Sequence, residues 1–275
     1  MTEASRARFA EAVRAGAPEL GLACLLVGVE VEPHLDVDDS LRVLDDLAAL
    51  ARPLVPPGSP PALVAEGLRL VLGEKSGFAG SAEDYGDLRS SLLHQVLRRG
   101  RGLPLLLSVA WVEVAARIDA PVWPVALPGH VVVGIGDPYD EPVFADPFAG
   151  GRPLDRTAID EMSRAAVGLP AIGLRPADTG ELMLRLLTNI RVLTTRQPRS
   201  LGAARTRLWA VELSLLVPRH PLELRRERGE LLARLGELAA GAAELEAYAS
   251  IVEDADPELA ETVRREARSA VARLN

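Results

Sequence analysis

The sequence predicts an α+β fold: N-terminal helices, then a helix packed on a small antiparallel sheet, then an all-helical repeat tail. Three observations carry this. Apolar residues recur three and four apart through Ile118, which is helical periodicity. Between Pro121 and Phe148 the pattern changes to short apolar runs broken by turn residues, which is the signature of strands. Past residue 180 helical spacing returns, and a proline follows a helix pair at Pro221 and again at Pro257, a repeat of thirty-six residues. These shifts place one domain at 1–175 and a second at 176–275.

The elements follow in order. "LACLLVGVE" and "LRVLDDLAALA" read as helices, the second entered through "DVDDS", where Asp39 or Ser40 is expected to cap the first turn. "RPLVPPGSPP" breaks the chain, and a helix runs from Ala62 to Glu74. "KSGFAGSAEDYGDLRS" reads as a loop leading into "SLLHQVLRRG", with Ser90 and Ser91 as caps and Gly100 as the stop. Pro104 suits the first turn of the next helix, since proline has no N–H to leave unpaired there, and the helix continues to Ile118. "VWPVAL", "HVVVGIG" and "PVFADPF" are three strands. In the tail, helices are expected over 180–196, 200–216, 219–234, 237–252 and 257–274. Gly229 and Gly241 are small where two helices cross, with Leu232, Leu235, Leu245 and Tyr248 filling between them.

Composition narrows the function classes. Over 275 residues, 48% hydrophobic and 25% charged content is that of a folded chain. A net charge of -8 argues against nucleic acid as partner, because phosphate binding needs concentrated positive charge. The clusters Arg98 to Arg101 and Arg225 to Arg228 read as solvated helix faces. Cys24 is the one cysteine, which excludes an internal disulfide, and with four scattered histidines no zinc spacing is present. Gly134 and Gly136 lack the third glycine and the following helix of a phosphate loop. No cofactor is expected. No window is apolar enough for a membrane span and the start has no signal-peptide core, so the expected location is the cytoplasm.

The chemistry-bearing residues are His130 at the start of one strand and Asp146 at the end of the next. Helix, antiparallel strands, His, then Asp is the order of transglutaminase-like and papain-like enzymes. In those, a thiolate at a helix N-terminus attacks an amide, the His shuttles the proton, and the Asp orients the imidazole. "RGLP" opening a helix, "PGH" and "DPFAGG", followed by tetratricopeptide-like helices, together resemble the bacterial SirB-like, transglutaminase-core family over roughly residues 18–252. The resemblance implies a transglutaminase/papain-like core, with His130 and Asp146 at the active-site His and Asp positions. Active transglutaminases carry Arg-Gly-x-Cys where this chain has Arg101, Gly102, Leu103 and Pro104. The thiol is missing, and so is the backbone N–H that helps hold the oxyanion in such enzymes.

Replacements for the nucleophile are scarce. Cys24 reads as a small buried hydrophobe and Ser108, one turn below Pro104, as a packing or back-bonding residue. His94 reads as a partly exposed helix residue; His94 and Ser108 are the candidate cleft-lining, binding residues. His34 and His220 carry no role, and Trp111, Trp123 and Trp209 read as core. The expectation is a non-catalytic protein, its retained dyad vestigial, that acts as a peptide- or protein-binding scaffold or regulator. The alternative is a hydrolase or amidase in which the dyad activates water or Ser108.

Overall fold

The structure, a computed structural model, describes residues 2–196 and 200–272. The chain divides into two compact units, Met1–Leu182 and Met183–Asn275.

In the first unit, α1 (Glu3–Ala15) starts at Thr2, whose hydroxyl accepts from the Ser5 N–H. In α2 (Leu20–Gly28) every residue but Leu22 is buried, as expected of a helix that is apolar all round. α3 (Val37–Ala51) is capped by Asp36, which accepts from the Asp39 N–H at 2.9 Å. The cap is therefore Asp36 and neither Asp39 nor Ser40, because the extended backbone ends at Asp36 and the helix begins earlier in "DVDDS". α4 (Pro61–Leu68) does not run to Glu74 as an α-helix. Arg69–Lys75 is a π-helix, closed by Ser76 N–H donating to the Val71 carbonyl. The glycine-rich loop holds two short 3₁₀ turns, Ala82–Gly86 and Leu88–Ser91, before α5 (Leu93–Arg99), which ends at Gly100 in the left-handed region with φ +65°.

α6 (Pro104–Ala116) is the centre of this unit. Leu106, Leu107, Val109, Ala110, Trp111 and Val114 are all fully buried, each large one worth about 1.5–3 kcal/mol on removal from water. α6 packs on β1 (Val122–Leu127) and β2 (His130–Ile135), and also against α2, α3 and α5. β3 (Val143–Asp146) and β4 (Arg152–Leu154) complete an antiparallel sheet of order β1-β2-β3-β4. β1 and β2 are joined by Pro128 and Gly129, the glycine at φ +71°, which sets Leu127 opposite His130. β4 carries no strand signal in the sequence: it is three residues long, and Arg152 and Pro153 are exposed, so no alternation develops. α7 (Arg156–Val167) follows, capped by Asp155 and stopped by Gly168. Trp123, Val125, Leu127, Val132, Leu154 and Ile159 form a second core patch between sheet and α7.

α8 (Thr179–Thr194) spans the division after Leu182. The second unit continues with α9 (Leu201–Leu216), α10 (Glu223–Arg234), α11 (Leu238–Val252) and α12 (Pro257–Ala272). Most of the "QPRS" turn and the predicted helix end at 274 lie outside the described residues. α10 and α11 cross at glycines: a Cβ on Gly241 would come within 2.7 Å of the Ala233 backbone nitrogen, and one on Gly229 within 2.7 Å of Leu245. Leu245 and Tyr248 fill the α11–α12 side, whereas Leu235 packs with Leu224 and Leu231 toward α9 instead.

The arginine clusters are partly exposed faces that also carry ion pairs. Arg99 and Arg101 pair with Asp84, Arg225 and Arg228 with Glu244, and Arg226 with Glu266, joining neighbouring elements. Among the described residues no helix is long and apolar enough to cross a membrane.

Candidate functional site

The candidate residues come from "PGH" at the β1–β2 turn, "DPF" at the end of β3 and "RGLP" at the start of α6. His130 opens β2 and Asp146 closes β3. His130 Nε2 donates to Asp146 Oδ1 at 2.9 Å, and the same oxygen accepts the Phe148 backbone N–H at 3.0 Å. Asp146 is 3% exposed, and the His130 side chain keeps 15% of its surface. A buried carboxylate held by two donors fixes the imidazole through one nitrogen, and the ring is only partly exposed.

Pro104 occupies the first position of α6 and is buried. The Leu103 N–H just before it donates to the Ser90 carbonyl at 2.9 Å, so the helix entry is tied to the preceding loop.

Ser108 is fully buried, and its hydroxyl donates to the Val131 carbonyl at 3.2 Å, joining α6 to β2 across the packing interface. It is neither free nor bonded back to its own helix. His94 is buried, not partly exposed: its Nε2 meets Glu32 Oε1 at 3.0 Å, and Gln95 donates to the same oxygen at 2.6 Å. It faces α2, where a Cβ on Gly28 would come within 2.4 Å of its Nδ1. Burial pushes the His94 pKa down, opposed by Glu32, with the net direction downward. Cys24 is buried, and burial with the nearby Glu113 charge pushes its thiol pKa far up. Ser90 and Ser91 are not caps of α5. The α5 cap position is Leu92, and the Ser90 hydroxyl donates to Asp84 Oδ1 at 2.9 Å.

His34 is exposed, and His220 bonds the Val217 carbonyl. Trp111 is fully buried, Trp123 is buried and donates to the Gly136 carbonyl, and Trp209 is half-buried. Gly134 lies under the Trp123 ring and Gly136, at φ +101°, ends β2. Among the described residues no three His, Cys, Asp or Glu side chains gather as a metal site.

Sequence reasoning missed the residues that surround the dyad. The Phe148 ring meets the His130 ring edge to face at 5.6 Å and 89°, and Tyr85 meets Phe148 at 6.0 Å and 62°. Gly80 N–H donates to the Phe148 carbonyl at 2.9 Å, and a Cβ on Gly80 would fall 2.0 Å from the Phe148 ring. A signal existed: Ser81 and Asp84 in "SAED" have the Ser-x-x-acid spacing of a capping box, which marks an ordered turn inside an apparent loop. The Gly-Gly of "DPFAGG" is equally structural. Gly151, at φ +85°, sits 2.5 Å from the Trp111 ring measured from a built Cβ, and the Gly150 carbonyl packs on Gly73.

The profile of the transglutaminase-like superfamily matches residues 38–188, and that of the tetratricopeptide repeat matches residues 202–274. A UPF0162 protein of Xylella fastidiosa (strain Temecula1 / ATCC 700964) is 36% identical over 164 residues, 57% of this chain and 56% of that protein. A UPF0162 protein of Pseudomonas aeruginosa is 29% identical over 199 residues, 71% of this chain and 72% of that protein. The F-box only protein 21 of Mus musculus is 31% identical over 70 residues, 26% of this chain and 11% of that protein. The chain thus spans little more than half the length of the Xylella relative. No solved structure matches the chain. The helix, four-stranded sheet and helical tail, carrying these two profiles in this order, make the chain a member of the transglutaminase-like superfamily, in its SirB-like arrangement with tetratricopeptide repeats.

Proposed function

We propose that this chain is a non-catalytic transglutaminase-like protein that binds a peptide or protein partner. One observation carries the reading: a buried Pro104 opens α6 where the attacking thiol would stand, while the His130–Asp146 bond is intact. The loss is double. Without a thiol no acyl-enzyme forms, and without the proline N–H one oxyanion donor is gone, a cost of about 3 to 4 kcal/mol in the transition state. His130, held by the buried Asp146, is then retained as part of a surface.

Support for binding comes from both units taken separately. In the first, the His130 edge and Tyr85, 42% exposed, offer aromatic and polar contact. In the second, a groove of about 700 Å³ opens along α10 and α12, with Glu230, Arg234, Arg265 and Glu266 around the buried Leu245. Tetratricopeptide repeats bind extended segments along such concave surfaces.

The competing reading keeps the dyad as a base that activates water. The partial exposure of His130 favours it. The Ser108 route is disfavoured, since its hydroxyl is buried and already donating to Val131.

A peptide array probed with the full chain, with His130→Ala and Glu266→Ala in parallel, tests binding. Peptides retained by the parent and weakened about tenfold, roughly 1.4 kcal/mol, by either variant are expected. Peptides whose retention neither variant changes would remove both surfaces from the account.

A further inference from the structure

We infer that Asp84 is a positioning residue for the His130 end of the sheet, acting through the 79–91 loop and Phe148. Asp84 is 2% exposed, and its hydrogen bonds run to Ser81, Ser90 and Arg101, not to the dyad. Its carboxylate accepts the Ser81 N–H at 2.8 Å, the Ser81 hydroxyl at 3.1 Å and the Ser90 hydroxyl at 2.9 Å. Arg101 donates at 3.3 Å, and Arg99 lies at 3.7 Å. Burial alone pushes this carboxyl up; the bonds from Ser81, Ser90 and Arg101 outweigh it, and the net direction is down.

Each donor anchors a different strand of backbone. Arg101 belongs to "RGLP", at the entry to α6. Ser90 offers its carbonyl to Leu103 N–H, so Asp84 holds the segment that holds that entry. Ser81 follows Gly80, whose N–H bonds the Phe148 carbonyl and whose bare Cα lets the Phe148 ring lie flat against the loop. Tyr85, next to Asp84, closes on the same ring, and the ring abuts His130. The carboxylate thus ties "RGLP" to "DPF" without touching either His130 or Asp146. A buried acid with four donors is costly to leave half-satisfied.

The consequence for ligand binding rests on the proposed reading of this site, whereas the clamp itself does not. The test is the ring-proton spectrum of the histidines in the full-length chain, assigned with His130→Ala, for Asp84→Asn, Ser90→Ala and Gly80→Ala. Asparagine keeps the shape but removes the charge that Arg101 and Arg99 face and turns one of the two acceptor oxygens into a donor. A Gly80 methyl would displace the Phe148 ring. Expected are shifted His130 ring signals, from the lost ring current of Phe148, with His34, His94 and His220 signals unmoved. Ser90→Ala removes one donor only and reports if Asp84→Asn fails to fold. His130 signals at parent positions in the folded variants would overturn the clamp. Shifted His130 signals with unchanged retention of array peptides would uphold the clamp and remove the His130 surface from the ligand-binding reading.

Discussion

His94 is an imidazole with 1% of its surface exposed, with Nε2 on Glu32 and Nδ1 without a hydrogen-bond partner. Its pKa is lowered by burial, so the folded state takes up this proton at lower pH than the unfolded chain, which protonates near the ordinary value of about 6.5. Sign follows: the unfolded state binds the extra proton, so stability is full above that value and falls as pH drops through the folded value. Glu32, whose pKa is lowered first by the His94 bond, adds a loss of the same sign further into the acid range. Urea midpoints from about pH 7.5 to about pH 5 should fall for the parent and fall less for His94→Gln; equal slopes would refute the assignment. His94 was legible as a residue of interest from its place in "LLHQVL", but its partner lies on a distant segment and its burial depends on Gly28, which no local pattern announces. His130 and Asp146 were legible because both sit at strand ends in turn motifs. Phe148 and Tyr85 were not, since an aromatic in a loop has no period to betray it.

At the scale of elements, the π-helix Arg69–Lys75 packs closely on the β3–β4 turn. A Cβ on Gly73 would lie 2.1 Å from the Gly150 carbonyl oxygen, a backbone atom that cannot step aside. Gly73→Ala should therefore cost about 1–3 kcal/mol despite alanine's better helix propensity, read as a lower urea midpoint at unchanged slope. A neutral or stabilising result would show that the two elements give way easily. The helix crossing of α10 and α11 makes a parallel case. Gly241→Ala should lower the midpoint likewise, since the added carbon meets Ala233 N at 2.7 Å and Gly229 O at 2.8 Å. Gly229 and Gly241 could be picked from the sequence because a repeat demands small residues where its helices touch. Gly73 could not, because its obstacle lies seventy-odd residues on. The same limit hid β4: three residues paired only to β3 carry no alternation of their own.

Across the whole molecule, the order of periodicities settled the architecture before any contact was known: helical, then strand-like, then helical with a proline-punctuated repeat. What periodicity cannot state is how loops close over one another, and the dyad's surroundings are made by loops. The account joins these levels in one claim. The chain keeps the superfamily's frame and a His–Asp bond, and on the proposed reading Pro104 stands where the nucleophile and an oxyanion N–H would be, leaving the frame to serve for binding. The most direct measurement is turnover of a panel of amide and ester substrates by the full-length chain, run beside His130→Ala at equal concentration. The account predicts that the two proteins are indistinguishable from each other and from buffer. Turnover by the parent that His130→Ala abolishes would contradict it and establish the dyad as a working base.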